Sequence, residues 1–134
     1  MFVKLIFSFL SLFIFSYAAV SGGELEFKPI KKSFNKKEDI CFVLKNNSKE
    51  GVFLPSSAPW VVFEDKEFEK VVFSPVATQS IVEIKPSQKK KWCWKQQDFN
   101  KEQVPSGEYI IRLTVFKNGK RVFLTSTVKI NNSQ

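Results

Sequence analysis

The chain has 134 residues, with 21 Lys and Arg against 13 Asp and Glu, no histidine and two cysteines. That length holds one hydrophobic core and is read as one domain. Without histidine there is no imidazole base for a triad and no His-ligated metal, and two cysteines cannot complete a four-cysteine site. Composition therefore points to a module with no catalytic residues, no cofactor and no metal.

The N-terminus bears on the compartment. Lys4 precedes an apolar run over 5–17, and the small residues Ala18, Ala19, Ser21 and Gly22 follow. This is the layout of a secretory signal peptide. Residues 1–21 are assigned to it, with cleavage after Ala18 or Ser21, and 22–134 to the single mature domain. The alternative is an uncleaved anchor. A spanning helix needs ~20 apolar residues, which this stretch reaches only by including Phe2 and Val20 and overlooking Lys4, Ser8, Ser11 and Ser16. The expected location is thus secreted, periplasmic or cell-surface, with membrane attachment only if the segment stays uncleaved. Removing residues 1–18 takes one lysine and no acid, leaving +7. A basic exported surface suits an anionic envelope polymer; export argues against nucleic acid.

The mature chain reads as short Val-, Ile- and Phe-rich runs between Pro, Gly, Asn and Ser clusters, with no sustained helical period. Strands are expected near 25–30, 40–46, 52–54, 60–64, 70–74, 79–84, 90–96, 108–117 and 120–130. In the run 40–45, Phe42 shares a face with Ile40 and Leu44 while Cys41 lies on the other. In 91–95, Trp92 and Trp94 share a face that Cys93 avoids. If these strands are neighbours, Cys41 and Cys93 meet on the outer face of one sheet as a disulfide, with Cα atoms ~4.4 to 6.8 Å apart. Between the strands at 52–54 and 60–64, Ser56, Ser57, Ala58 and Pro59, leading into Trp60, form a rigid, small-residue loop that is the candidate binding loop and is expected to be exposed. Glu64, Asp65, Glu67 and Glu69 cluster at the next turn and are read as solvated charge rather than a calcium site. Asn46 and Asn131 head N-x-S sequons.

The C-terminal hairpin is the sharpest local deduction. Asn118-Gly119 is the favoured pair for a two-residue type I′ turn. Pairing Lys117 with Lys120 then sets Val115 against Val122, Leu113 against Leu124, Ile111 against Ser126 and Tyr109 against Val128 on one face. The other face carries Phe116 with Arg121, Thr114 with Phe123, Arg112 with Thr125 and Ile110 with Thr127, a mixed surface that can be wet or can receive a partner. The expected core comprises Phe42, Trp92, Trp94, Tyr109, Ile111 and Leu113. Tyr109, just after Gly107, suits a tyrosine-corner hydrogen bond, although Ile111 stands where an antibody-type domain has its second cysteine.

The ordered strings "VLKNNS" at 43–48, "LPSSAPW" at 54–60, "SPVATQ" at 74–79, "VEIKPSQKKKWCW" at 82–94 and "QVPSGEY" at 103–109 resemble the BsuPI-type domain, an immunoglobulin-like β-sandwich named after a bacterial intracellular proteinase inhibitor. The resemblance spans most of the mature chain. The chain differs in its export signal, and its "KPSQ" and "DFNKEQ" turns lack the family's usual glycine. The resemblance implies an all-β, immunoglobulin-like antiparallel sandwich and a possible proteinase partner. Two functions are expected from residues and resemblance together: an exported non-catalytic interaction module at the cell envelope, whose partner is a protein or an anionic polymer, or alternatively a proteinase inhibitor acting through an exposed loop.

Overall fold

A computed structural model describes residues 24–132; the expected signal segment lies outside them. The described chain is all-β. Its strands are β1 (Leu25–Pro29), β2 (Ser33–Phe34), β3 (Ile40–Asn46), β4 (Val52–Leu54), β5 (Trp60–Phe63), β6 (Val71–Phe73), β7 (Val82–Ile84), β8 (Lys89–Trp94), β9 (Gly107–Lys117) and β10 (Lys120–Ile130). Nine coincide with expected runs to within three residues at either end. The two-residue β2 is additional, and is too short to carry an alternation of its own.

The strands form two sheets packed as an antiparallel β-sandwich. The smaller has the order β1-β3-β8, and the larger runs β2-β10-β9-β4-β7, with β5 paired to β9 and β6 to β5. All pairs are antiparallel except β2 with β10. The hairpin has the deduced register, from Lys120 opposite Lys117 through Val128 opposite Tyr109. Its turn is held by Asn118 at φ 52° and Gly119 at φ 74°, the two positive φ values that type I′ requires.

Alternation sends one face of each sheet into a shared core. Ile40, Phe42 and Leu44 of β3 and Trp92 and Trp94 of β8 meet Ile111, Leu113 and Val115 of β9, all buried. Phe42 sits at the centre, with edge-on contacts to Phe27 at 5.6 Å and Trp60 at 5.0 Å between ring centroids. Trp94 packs edge-on against Tyr109 at 5.6 Å, and the Tyr109 hydroxyl donates to the Pro105 carbonyl at 2.6 Å, the tyrosine corner of immunoglobulin-like sandwiches. Gly107 opens that corner at φ 142°, a backbone conformation that side chains disfavour.

Polar bridges close the seams between elements. Ser126, on the inner face of β10, donates to the Phe27 carbonyl and so ties β1 to the opposite sheet. The fully buried Asn46 amide donates to the carbonyls of Glu50 at 2.8 Å and Ile84 at 2.9 Å, while its oxygen accepts from the Ser48 N–H at 2.9 Å. Asn46 therefore presents no free amide to a glycosylating enzyme in the folded chain.

Cys41 and Cys93 form a disulfide between directly opposed residues of β3 and β8. Their Cα atoms are 4.0 Å apart, below the expected window. The Cys41 carbonyl accepts the Ile30 N–H, so its backbone groups point toward β1. The pair with Cys93 is then a non-hydrogen-bonded site, where strands approach most closely. The bridge lies within one sheet, unlike the inter-sheet bridge of antibody domains. Its presence points to an oxidising compartment.

Candidate functional site

Two surfaces bear on function: the segment between β4 and β5, and the outer face of the larger sheet. The first differs from expectation. Ser56, Ser57, Ala58 and Pro59 are half-buried, and Trp60 is buried at 4% exposure against Phe42 and Phe73. β4 and β5 pair with the same edge of β9, so the residues between them run alongside that strand rather than projecting from an end. The Pro59 carbonyl accepts the Thr114 N–H at 2.9 Å, and the Ser57 carbonyl accepts the Trp92 indole N–H at 2.9 Å from the smaller sheet. This segment stitches the two sheets together.

The protruding loop is elsewhere. β6 pairs with β5 and β7 with β4, so residues 74–81 pass alongside 55–59. Thr78 donates its N–H to Ser57 Oγ at 3.0 Å and accepts the Ser57 N–H at 3.2 Å. Between these anchors and β6, Val76 is fully exposed, and Ile81 is exposed beyond them. The sequence carried a faint signal for this loop, Pro75 before an apolar pair, which the more proline-rich 55–59 overshadowed.

The outer face of the larger sheet is built by the hairpin register. Across the sheet, Glu83, Phe53, Phe116 and Arg121 form one row, Thr114 and Phe123 the next, then Val61, Arg112 and Thr125, then Phe63, Ile110 and Thr127. Residues 64–70 fold over the last rows. The Asp65 carboxylate holds this turn by accepting the N–H groups of Lys70 at 2.8 Å and Glu69 at 3.2 Å. Desolvation pushes the Asp65 pKa up, but these hydrogen bonds and the Lys70 charge outweigh it and hold the value below the ordinary range. The acidic cluster is thus a turn built around one carboxylate. It delivers Phe68, at φ 59°, onto Phe63 with centroids 5.1 Å apart.

Phe53, Phe68 and Phe123 remain 44%, 36% and 46% exposed on this face. Arg112 and Arg121 are the only arginines in the sequence, and both lie over the Phe123 ring, at 4.4 and 5.2 Å from its centroid. Arg112 also lies 4.9 Å from the Phe63 centroid and 5.2 Å from that of Phe68. Among the described residues neither arginine is in an ion pair with an acid. The outer face of the smaller sheet is chemically different, carrying Lys28, Lys45, Lys89 and Lys91 around the disulfide.

No family model and no curated protein matches the chain. Solved structures similar to it include the alkylpurine DNA glycosylase AlkC of Pseudomonas fluorescens bound to DNA containing an abasic site analog, at 9% identity and TM-score 0.44, covering 82% of this chain and 31% of that one. Others are the ASH / PapD-like domain 7 of human CEP192, at 14% identity and TM-score 0.34 over 83% and 87% of the two chains, and a β-glucosidase from Listeria innocua in complex with isofagomine, at 14% identity and TM-score 0.39 over 82% and 16%. The chain spans under a third of the glycosylase and about a sixth of the glucosidase.

Proposed function

We propose that the protein is an exported, non-catalytic interaction module of the cell envelope that docks a protein partner on the outer face of its larger sheet. The observation that carries this reading is the gathering of three exposed phenylalanines with the chain's only two arginines, neither in an ion pair with an acid among the described residues. Aromatic residues and arginine are the types enriched at the centres of protein interfaces, where lysine is depleted, and large exposed apolar groups rarely lie together on a surface that meets only water. The disulfide and the N-terminal layout of Lys4, the apolar run and small residues support export. A photo-crosslinking phenylalanine analogue at position 123 in the native organism should capture a discrete partner, whereas the same analogue at position 91, on the lysine face, should not. Equal capture from both positions would dismiss the docking face.

The segment 74–81 favours a second reading, the proteinase inhibitor implied by the BsuPI resemblance. Its exposed Val76 sits two residues before the anchored Thr78, and a loop held in place before binding loses less entropy on docking in a protease cleft. Sub-micromolar inhibition of a secreted serine protease, lost in Val76→Asp, would support it. Cleavage as an ordinary substrate would remove it.

A further inference from the structure

We propose that the free edge of β10 receives an extended, acidic peptide segment of a partner as an added β-strand, hydrogen-bonded to the outward backbone groups of Phe123, Thr125 and Thr127. This goes beyond the reading of the larger sheet's outer face and does not rest on it: the groups used are main-chain groups at the side of the sheet, not side chains on its surface.

The argument starts from hydrogen-bond parity. β10 has β9 along one side for its whole length, but on the other side it meets only β2, at Lys129 and Ile130. The Lys129 N–H donates to the Lys32 carbonyl at 3.1 Å, so Lys129 turns its backbone groups away from β9. In an antiparallel pair that direction alternates residue by residue, and Arg121, Phe123, Thr125 and Thr127 therefore point their N–H and C=O groups the same way as Lys129. Past the end of β2, no strand and no backbone hydrogen bond meets them among the described residues. Donors and acceptors that recur at every second residue of a strand are matched in turn by another extended chain, which is how a peptide adds to a sheet edge.

The other edges are blunted and this one is not. β2, β6 and β7 are two or three residues long, β8 carries Lys89, Lys90 and Lys91 in succession, and β1 has Glu26, Lys28 and Pro29. Short length, charge and proline are the devices that keep sheet edges from pairing. Over 122–128 β10 has no charge, no proline and no glycine, and its register with β9 is unbroken. A hollow of about 390 Å3 lies between residues 25–28 of β1 and Leu124 and Thr125 of β10, and at Lys28 it meets another of about 730 Å3 beside Thr127, Val128 and Lys129. Val122 and Leu124 point inward yet stay half-buried here, as does Leu25, so alternate side chains of an added strand find apolar surface. Charge selects the partner. Lys120 and Arg121 stand at one end of the uncharged run, and Lys32 and Lys129 at the other, none of them in an ion pair among the described residues; Glu108, across from Lys129, is the acid lining that end. A second copy of the edge, paired in either direction, would bring cations against cations. A segment with acidic residues on either side of an alternating centre complements both ends.

The test follows backbone amide exchange by NMR in the oxidised, 15N-labelled chain, alone and with the capped peptide Glu-Val-Thr-Val-Thr-Val-Glu. In the chain alone, the amides of Phe123, Thr125 and Thr127 should exchange faster than those of Val122, Leu124 and Ser126, which face β9. Saturating peptide should slow the first set by roughly tenfold or more and leave the second unchanged. The counterpart peptide with lysine at both ends should bind roughly tenfold more weakly. Thr125→Pro deletes one outward donor at a position where a sheet edge tolerates proline; it should keep a cooperative melt and abolish the protection at Phe123 and Thr127. If that variant does not fold, the same peptide N-methylated at alternate residues probes the backbone from the other side, and it should not bind. Slow exchange at Phe123, Thr125 and Thr127 in the chain alone would show an edge already covered. Absence of binding, or binding without alternating protection, would remove the added strand, and equal binding of the lysine peptide would remove the acidic partner. Protection that grows with protein concentration and needs no peptide would make the occupant a second copy; each of these outcomes overturns the proposal. Capture from position 123 that persists in Thr125→Pro would leave the outer face standing and remove the edge. Alternating protection by the peptide without capture from position 123 would do the reverse.

Discussion

Ser87 shows how one backbone angle limits stability. The Gln88 N–H donates to the Lys85 carbonyl at 3.0 Å across Pro86 and Ser87, and Ser87 sits at φ 71°, the third position of a type II turn, which favours glycine. Ser87→Gly should raise stability by up to ~1 kcal/mol, measured by urea unfolding; a loss would show that the hydroxyl has a role that the turn does not require. Lys101, at φ 63° in the 98–103 turn, is another non-glycine residue in the left-handed region. Gln96 is the opposite case, a residue that nothing in the sequence distinguished. It is fully buried, donates to the carbonyls of Asn35 at 2.7 Å and Glu38 at 2.9 Å, and accepts from Gln103 at 2.9 Å. Gln96→Leu removes three hydrogen bonds at a fully buried position and should cost ~1–3 kcal/mol, visible as a lower urea midpoint. Glu38 gives the pH dependence. A hydrogen bond from Lys31 and another from the Asn35 N–H hold its pKa below 4.5. A carboxylate with a lowered native pKa contributes stability that is complete above its unfolded value and is lost as pH falls through the native one. Stability should therefore decline below about pH 4.5, and less steeply in Glu38→Gln than in the parent chain.

At the scale of elements, what was legible followed from whether local chemistry and pattern agreed. Asn118-Gly119 fixes a turn and the flanking alternation fixes which face is buried, so the register of β9 and β10 could be deduced. The pairing of β3 with β8 was reached through the sides of the strands that Cys41 and Cys93 occupy. The 55–59 segment was misplaced because its two prolines signal rigidity without signalling where the chain runs. That depends on β4 and β5 sharing one edge of β9, a long-range fact. The outer face of the larger sheet was half legible: the hairpin pattern set Arg112, Arg121 and Phe123 outside, but Phe63 and Phe68 reach Arg112 only through β5 and the turn held by Asp65. The disulfide should contribute roughly 4 kcal/mol by restricting the unfolded chain, so Cys41→Ala with Cys93→Ala should lower the unfolding free energy by about that amount. A change below ~1 kcal/mol would mean that the pairing of β3 with β8 alone keeps the unfolded chain comparably restricted.

For the molecule as a whole, the core and the two outer faces should respond differently to substitution. Trp94 is 1% exposed and its indole N–H donates to the Gln97 carbonyl at 2.9 Å; Trp94→Ala should cost ~3–5 kcal/mol and reduce the yield of folded protein. Phe123→Ala, on the outer face, should change the melting temperature little while weakening any partner that docks there. N-terminal sequencing of native protein should find a start between residues 19 and 22.

The covalent bridge within the smaller sheet also governs how the molecule would bear load. Cys41 and Cys93 are 52 positions apart in the chain, and β4 through β7 all lie between them. Pulled from its two ends, the protein could peel away β1, β2 and the β9–β10 hairpin, but roughly 180 Å of contour, at ~3.4 Å per residue, would stay locked behind the bridge. In a single-molecule stretching trace the oxidised chain should therefore yield about half the extension of the reduced one. A tether built this way fails in two steps, and only the first is available while its surroundings stay oxidising.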